Sequence, residues 1–186
     1  MRTFIAIEPP DDLRTALGEL CRSVAEHFPG VRWADPWNIH LTLRFLGEID
    51  PADLDPLSTA LEEAVAPTAP FELVPSRIGF FGSKLSPRVV WLGLEEQPQL
   101  KDLAGALENS LQQADFGRAD KPFRGHLTLA RIRRPLKRPP DWEIINQSLP
   151  EIWPGWKVTE VHIIKSTLTP QGPVYKILRN CKLAGG

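Results

Sequence analysis

The sequence predicts an α+β protein built as two similar lobes facing each other across a cleft. Three observations carry that expectation. Helical and extended patterns interleave along the chain, each half holds a helix and a strand led by a histidine, and the tetrapeptide His-Leu-Thr-Leu occurs in both halves, at His40–Leu43 and His126–Leu129. The repeat is architectural, with little identity between the halves outside the tetrapeptide.

Taken in order, Thr3 to Ile7 reads as a strand, because β-branched and aromatic residues run up to the Pro9-Pro10 breaker. A helix follows, capped by Asp11 or Asp12, with Leu13, Leu17, Leu20, Val24 and Phe28 at helical spacing and Pro29-Gly30 as its stop. Extended stretches are expected around Val31 to Trp33 and from His40 to Leu46. Asp50 then caps a second helix with Pro51 in its first turn and Leu54, Leu57, Leu61 and Val65 on one face. Strands from Phe71 to Phe80 and Arg88 to Leu94 flank a Gly/Ser/Pro loop. A third helix near Pro98 to Ala114 buries Leu100, Leu103, Leu107 and Leu111 and leads to a strand from His126 to Ile132. A short helix near Trp142 to Ser148 precedes extended segments from Lys157 to Leu168 and Val174 to Leu178, joined by a turn at Pro170–Pro173.

Composition bounds the function. With 42% apolar and 24% charged residues the chain is an ordinary globular protein, and it has no run of 18 apolar residues and no secretory leader pattern, so a cytoplasmic protein without membrane attachment is expected. Cys21 and Cys181 lie at opposite ends of the chain without metal-site or redox spacing and read as ordinary buried thiols. A net charge of −1 argues against coating nucleic acid through bulk electrostatics. The charge is uneven, however. Residues 117–138 hold eight basic residues and the single acid Asp120, +7, leaving 14 basic and 22 acidic residues, −8, elsewhere. That suits local capture of a small polyanion as well as it suits a solvated loop.

The repeated motif decides between these. On a strand, residues i and i+2 share a face, so each copy places a histidine beside a threonine while its two leucines point into the core. Two such faces opposed would gather His40, Thr42, His126 and Thr128 in one cleft. One neutral imidazole can take a proton from water, the other, protonated, can give one to a departing alkoxide, and the hydroxyls can donate to phosphate oxygens. No HxH or HExxH pattern and no carboxylate within either motif supplies a metal-ligand set, so no metal and no cofactor are expected. His27 reads as a helix-terminus residue and His162 as structural or surface.

These residues resemble the two-histidine (2H) phosphoesterase superfamily, and within it the RNA 2',3'-cyclic phosphodiesterases, also called the 2'-5' RNA ligase family. The resemblance spans nearly the whole chain, through RTFIAIEPP, VRWADPWNIHLTLRFLGE, IGFFGSKLSPRVVWLGL, KPFRGHLTLARI and STLTPQGPVYKIL. It implies a single bilobal phosphodiesterase domain over residues 1–186, with two pseudo-symmetric lobes, each an antiparallel sheet with flanking helices around a central cleft. It further implies a hydrolase that opens RNA-terminal 2',3'-cyclic phosphate to a 2'-phosphate, with His40 as proton donor and His126 as proton acceptor. By the same resemblance Thr42, Thr128 and Arg131 contact the phosphate, and Phe123 is placed to stack on the terminal base. Its partners would be RNA 3' ends or cyclic nucleotides bearing the cyclic phosphate, met by a monomer. Arg131 has the wrong strand parity relative to His126, so reaching the cleft requires a twist, a bulge or the strand's end. Two departures are visible: Gly125 stands where the family has proline before the second histidine, and Phe81-Gly82 replaces Phe-Pro at a place expected to lie away from the motifs. Alternatives that the residues leave open are the reverse reaction, 2'-5' RNA ligation, a non-catalytic RNA-end binding protein, and a 2H enzyme acting on a small molecule.

Overall fold

The computed structural model describes residues 1–184 of the chain. The first apolar run forms β1 (Arg2–Ile7), and Pro10 ends the following turn as the N-cap of α1 (Asp11–Val24). Asp11 and Asp12 therefore sit in the helix's first turn, where their charges favour the helix dipole, and not at the cap itself. Leu13, Leu17, Leu20 and Val24 are buried on one side of α1, and a 3-10 turn, Ala25–His27, finishes it. A second 3-10 turn, Pro36–Asn38, leads into β2 (Leu41–Glu48), so His40 stands immediately before the strand. Asp50 and Asp53 form a reciprocal capping box around the turn Pro51–Asp53, which runs into α2 (Leu54–Val65).

The extended stretch after α2 is two strands, β3 (Phe71–Leu73) and β4 (Pro75–Gly82). Strand β5 (Pro87–Leu94), helix α3 (Pro98–Gln113), strand β6 (His126–Arg131) and helix α4 (Trp142–Gln147) follow as expected from their patterns. The closing stretch is likewise divided, into β7 (Trp156–Val158) and β8 (Glu160–Thr169), before β9 (Gly172–Lys182). The two divisions have one cause. Strands β3 and β7 pair with each other in a small sheet, Phe71 opposite Val158, while β4 and β8 continue into the main sheet.

The main sheet is antiparallel throughout, in the order β4-β5-β6-β2-β1-β8-β9. Its order exposes the duplication. The run β1-α1-β2-α2-β3-β4 is followed by β5-α3-β6-α4-β7-β8 with the same succession of elements. Each repeat lends its last strand to the other lobe: β4 pairs with β5, and β8 pairs with β1. The lobes meet where β2 and β6 touch, at the single register pair Leu41 and Leu127. These are the second residues of the two HLTL motifs, so the approximate two-fold passes through the motifs themselves. One face of the sheet packs Ile5, Ile7, Leu41, Leu92, Leu127 and Ile163 against the helices as one core; on the other, Phe4, Ala6, Ile164 and Tyr175 form a small separate cluster. Cys21 and Cys181 are buried free thiols, and burial pushes Cys21 up to about 12. No helix among the described residues is long and apolar enough to cross a membrane.

Candidate active site

Antiparallel register around Leu41 and Leu127 carries His40 across from Thr128 and Thr42 across from His126, so the four polar side chains gather on the face opposite the core. The leucines behave as the motif requires: Leu41, Leu127 and Leu129 have no exposure, and Leu43 very little. Each strand then breaks step. Ala6 pairs with Thr42 but Ile5 with Arg44, leaving Leu43 as the extra residue of a β-bulge; Trp91 pairs with Thr128 but Val90 with Ala130, leaving Leu129 in the same position. The Leu129 carbonyl accepts from the Ala34 amide at 2.7 Å. Beyond the bulge, parity reverses. Ala130 turns to the core, and Arg131, opposite Val89, shares the face of Thr128 and His126. The parity obstacle to Arg131 is thereby removed, and Arg131 lines the cleft with His40, Thr42 and Thr128.

The two imidazoles are held alike. Nδ1 of His40 donates to the Asn38 carbonyl at 2.9 Å, and Nδ1 of His126 donates to the Arg124 carbonyl at 2.7 Å. A carbonyl only accepts, so each hydrogen bond fixes the Nδ1–H tautomer and leaves Nε2 to take or give a proton. Aromatic rings wall both. Phe4 stacks on His40 at 4.5 Å with Tyr175 edge-on at 5.1 Å, while Phe81 and Trp91 meet His126 edge-on at 5.0 and 6.3 Å. Burial is the main cause that lowers both pKa values. His40 falls to about 4, against the opposing pull of its Asn38 hydrogen bond and with help from the charges of Arg14, Arg131 and His126. His126 is lowered in the same way, and again Arg131 adds to the effect. One guanidinium thus acts on both rings. In the free protein both imidazoles are neutral at neutral pH.

The cleft lined by His40, Thr42, Thr128 and Arg131 has a volume of about 1480 Å³. Its walls are the approach segment 29–35, the segment after β6 up to Lys137, and the β8–β9 hairpin tip, residues 169–175. Arg32 and Asn38 brace that tip by donating to the Gln171 and Pro173 carbonyls. Like His126, Phe123 does not line this cavity; it is half-buried and packs against the main core. His162 is buried beside Glu160, and His27 lies next to Glu26, both outside the cleft. Gly125 is matched by its surroundings, since a Cβ there would meet Leu100 at 3.1 Å. The expectation that Phe81-Gly82 lies away from the motifs is corrected: although Phe81 pairs with Val89 on β5, its ring reaches that of His126 edge-on. Sequence reasoning also missed Phe4, Tyr175 and Trp91 as neighbours of the histidines. Tyr175, the chain's only tyrosine, was the one signal available. Among the described residues, no three His, Cys, Asp or Glu side chains converge as a metal-ligand set.

A duplicated α+β sheet bearing paired histidine and threonine side chains on its cleft face is the arrangement of the two-histidine phosphoesterases. The chain belongs to the LigT-like phosphoesterase family, whose model matches residues 7–91 and again residues 92–175, with one HLTL motif in each match. It is 34% identical over 186 residues to an RNA 2',3'-cyclic phosphodiesterase of Thermotoga maritima, covering the whole chain and 97% of that relative. A protein of the same name from Archaeoglobus fulgidus is 34% identical over 96% of this chain and 98% of its own length. Among solved structures, TT0787 of Thermus thermophilus superposes with a TM-score of 0.83 at 31% identity over 100% of this chain and 99% of its own. E. coli LigT complexed with 3'-AMP superposes with a TM-score of 0.75 at 26% identity, over 98% and 97% of the two chains.

Proposed function

We propose that this protein hydrolyses RNA-terminal 2',3'-cyclic phosphate to a 2'-phosphate without a metal ion, using His40 and His126 as acid and base. The observation that carries the reading is the matched pair of Nδ1-anchored imidazoles, each with a threonine across the sheet and both within reach of the Arg131 charge. The names of the relatives from Thermotoga and Archaeoglobus supply the substrate class.

In this reading Nε2 of His126 takes a proton from water as its oxygen forms a bond to phosphorus, and the bond from phosphorus to O3' breaks. Nε2–H of His40 gives its proton to O3', leaving a free 3'-hydroxyl and a 2'-phosphate. Which histidine plays which part follows the resemblance to the family, because the site itself is nearly symmetric. Thr42, Thr128 and Arg131 hold the non-bridging oxygens, where charge accumulates in the transition state. His40 is neutral in the free protein, so the negative charge of the bound phosphate must raise its pKa and bring in the proton that it later donates.

The test is incubation with an oligoribonucleotide ending in 2',3'-cyclic phosphate in excess EDTA, with the product identified by phosphorus NMR. A 2'-phosphate product is expected, and His40→Ala and His126→Ala should each lower the rate by about 10²- to 10⁴-fold. Activity that vanishes in EDTA and returns with a divalent ion would sink the metal-free mechanism. Binding of the end without ring opening would leave an RNA-end binding protein, and joining to a 5'-hydroxyl would reveal the reverse reaction.

A further inference from the structure

The cleft is larger than the reaction needs. Sites for small ligands occupy roughly 300 to 1,000 Å³, and this one, at about 1480 Å³, continues past the paired motifs between the segment 132–137 and the hairpin tip. Its lining carries Arg32, Arg131, Arg133, Arg134 and Lys137 against one acid, Asp35, whose carboxylate already accepts from the Trp37 amide. Elsewhere among the described residues Arg14 pairs with Glu8, Arg44 with Glu108 and Arg179 with Asp55, while surface cations such as Lys84 and Lys101 have no such partner; what sets this wall apart is that its cations stand together along one cleft with a single acid. Among the described residues, Arg131, Arg133, Arg134 and Lys137 have no acidic partner within salt-bridge distance. The segment that bears them is nevertheless pinned. Ile132 is buried and its amide donates to the Arg88 carbonyl at 2.8 Å, and Leu136 packs against the main core, while Arg133, Arg134 and Lys137 are exposed. Unpaired cations on an anchored wall, on a protein of net charge −1, mark a place for a polyanion.

We propose that Arg133, Arg134 and Lys137, continuous with Arg131, bind the phosphate backbone of single-stranded RNA immediately 5' of its terminal cyclic phosphate, so that oligoribonucleotides are better substrates than mononucleotides. The inference rests on the phosphodiesterase reading. With the cyclic phosphate at the 3' end against His40 and His126, the strand can continue only on its 5' side, and the cleft that His40, Thr42, Thr128 and Arg131 line continues along this wall. A basic groove that tracks the backbone needs no base-specific contact, which fits a wall of side chains that donate but cannot accept.

The experiment compares kcat/KM for adenosine 2',3'-cyclic phosphate and for an oligoribonucleotide ending in the same nucleotide, in the wild type and in the triple variant Arg133→Ala/Arg134→Ala/Lys137→Ala, across a series of salt concentrations. The ratio of oligomer to mononucleotide cancels any general loss in the variant. In the wild type the oligomer should be favoured by about tenfold or more, with log(kcat/KM) falling against log[salt] with a slope near −2 for about three backbone phosphates, and a much shallower slope for the mononucleotide. The triple variant should bring the ratio toward one and flatten the oligomer's slope. A ratio near one in the wild type, or a ratio unchanged by the three substitutions, overturns the proposal. If neither substrate is opened, the phosphodiesterase reading fails, and fluorescence anisotropy of a labelled oligoribonucleotide ending in 3'-phosphate decides the wall by itself. Weaker, less salt-dependent binding by the variant supports it, and equal binding overturns it.

Discussion

Leu43 and Leu129 hold the same place in two different strands: each is the last residue of an HLTL motif and the extra residue of a β-bulge. The residues after them part ways. Past Leu43 the reversal of parity sends Arg44 to the core and exposes Phe45, over whose ring Arg2 lies at 4.8 Å; past Leu129 it buries Ala130 and presents Arg131. The duplicated geometry thus offers two equivalent positions five residues after a histidine, one filled by an aromatic and one by an arginine. That asymmetry places a guanidinium on a single side of a nearly symmetric site.

Arg131→Gln is accordingly expected to cost about 10²-fold in kcat/KM, the scale found when one charge-stabilising donor is removed from a transition state. The corresponding Phe45→Gln should cost far less, although the two positions are equivalent in the fold. Steady-state kinetics on a cyclic nucleotide checks both, and equal losses would mean that the bulges serve packing alone.

The pH profile follows from the lowered pKa values. In the proposed mechanism the reactive form carries a proton on His40 and none on His126, and it is most populated between two ionisations that belong to the pair. Both lie below the ordinary 6.5, His40 near 4 and His126 lowered in the same direction by burial. The maximum of kcat/KM should therefore fall on the acid side of 6.5, with a decline of about tenfold per pH unit on the alkaline limb as the single proton is lost. Because a bound phosphate anion raises His40, the alkaline limb of kcat should lie at higher pH than that of kcat/KM. Removing the Arg131 charge should move the free-enzyme limb upward, since that guanidinium lowers both rings. A maximum above 7 in kcat/KM would overturn the acid and base assignment.

The paired motifs were legible because the two-residue period of a strand needs no partner to be read: His and Thr must share a face wherever the strand lies. The side on which Arg131 emerges was not, because a bulge is a property of two strands. Counting from His126 gives the wrong face, and only the pairing of Trp91 with Thr128 and of Val90 with Ala130 shows the skipped residue. The breaks after Leu73 and Val158 were hidden for a related reason. Phe71 to Phe80 and Lys157 to Leu168 each read as one extended run, and which sheet a residue joins is settled by its neighbours in space. The aromatic walls of the histidines come from β1, β4, β5 and β9, none of them adjacent to its histidine in sequence.

Trp91 depends on Gly79, its partner across β4 and β5. A Cβ at that position would lie 2.3 Å from the far edge of the indole ring, so the ring lies where a side chain would otherwise be. Gly79→Ala should cost about 1–3 kcal/mol through overpacking, and should lower activity because the displaced indole also borders His126. Adding Trp91→Phe removes the clashing atoms and should restore most of the stability. Chemical denaturation of the single and double variants checks this, and an additive loss in the double variant would show that the two residues do not oppose each other.

Arg44 ties the second motif's approach to the first motif's strand. It is buried, its Nη2 donates to the Phe116 and Gly117 carbonyls at 3.4 and 3.1 Å, and its Nε lies 3.5 Å from Glu108. Glu108 in turn accepts from the Ala119 amide at 2.8 Å and from Gln112. The loop between α3 and His126 is therefore held by one buried cation and its partner. Arg44→Met leaves two carbonyls without their donor and the Glu108 carboxylate without its counter-charge, for which about 3 kcal/mol of destabilisation is expected, whereas Glu108→Gln keeps an acceptor beside the amide and should cost less. If the tie positions His126, amide exchange across residues 116–125 should accelerate in Arg44→Met more than in α1, and kcat should fall even at temperatures where the variant is fully folded. Slower turnover with unchanged exchange in that loop would mean that Arg44 acts elsewhere.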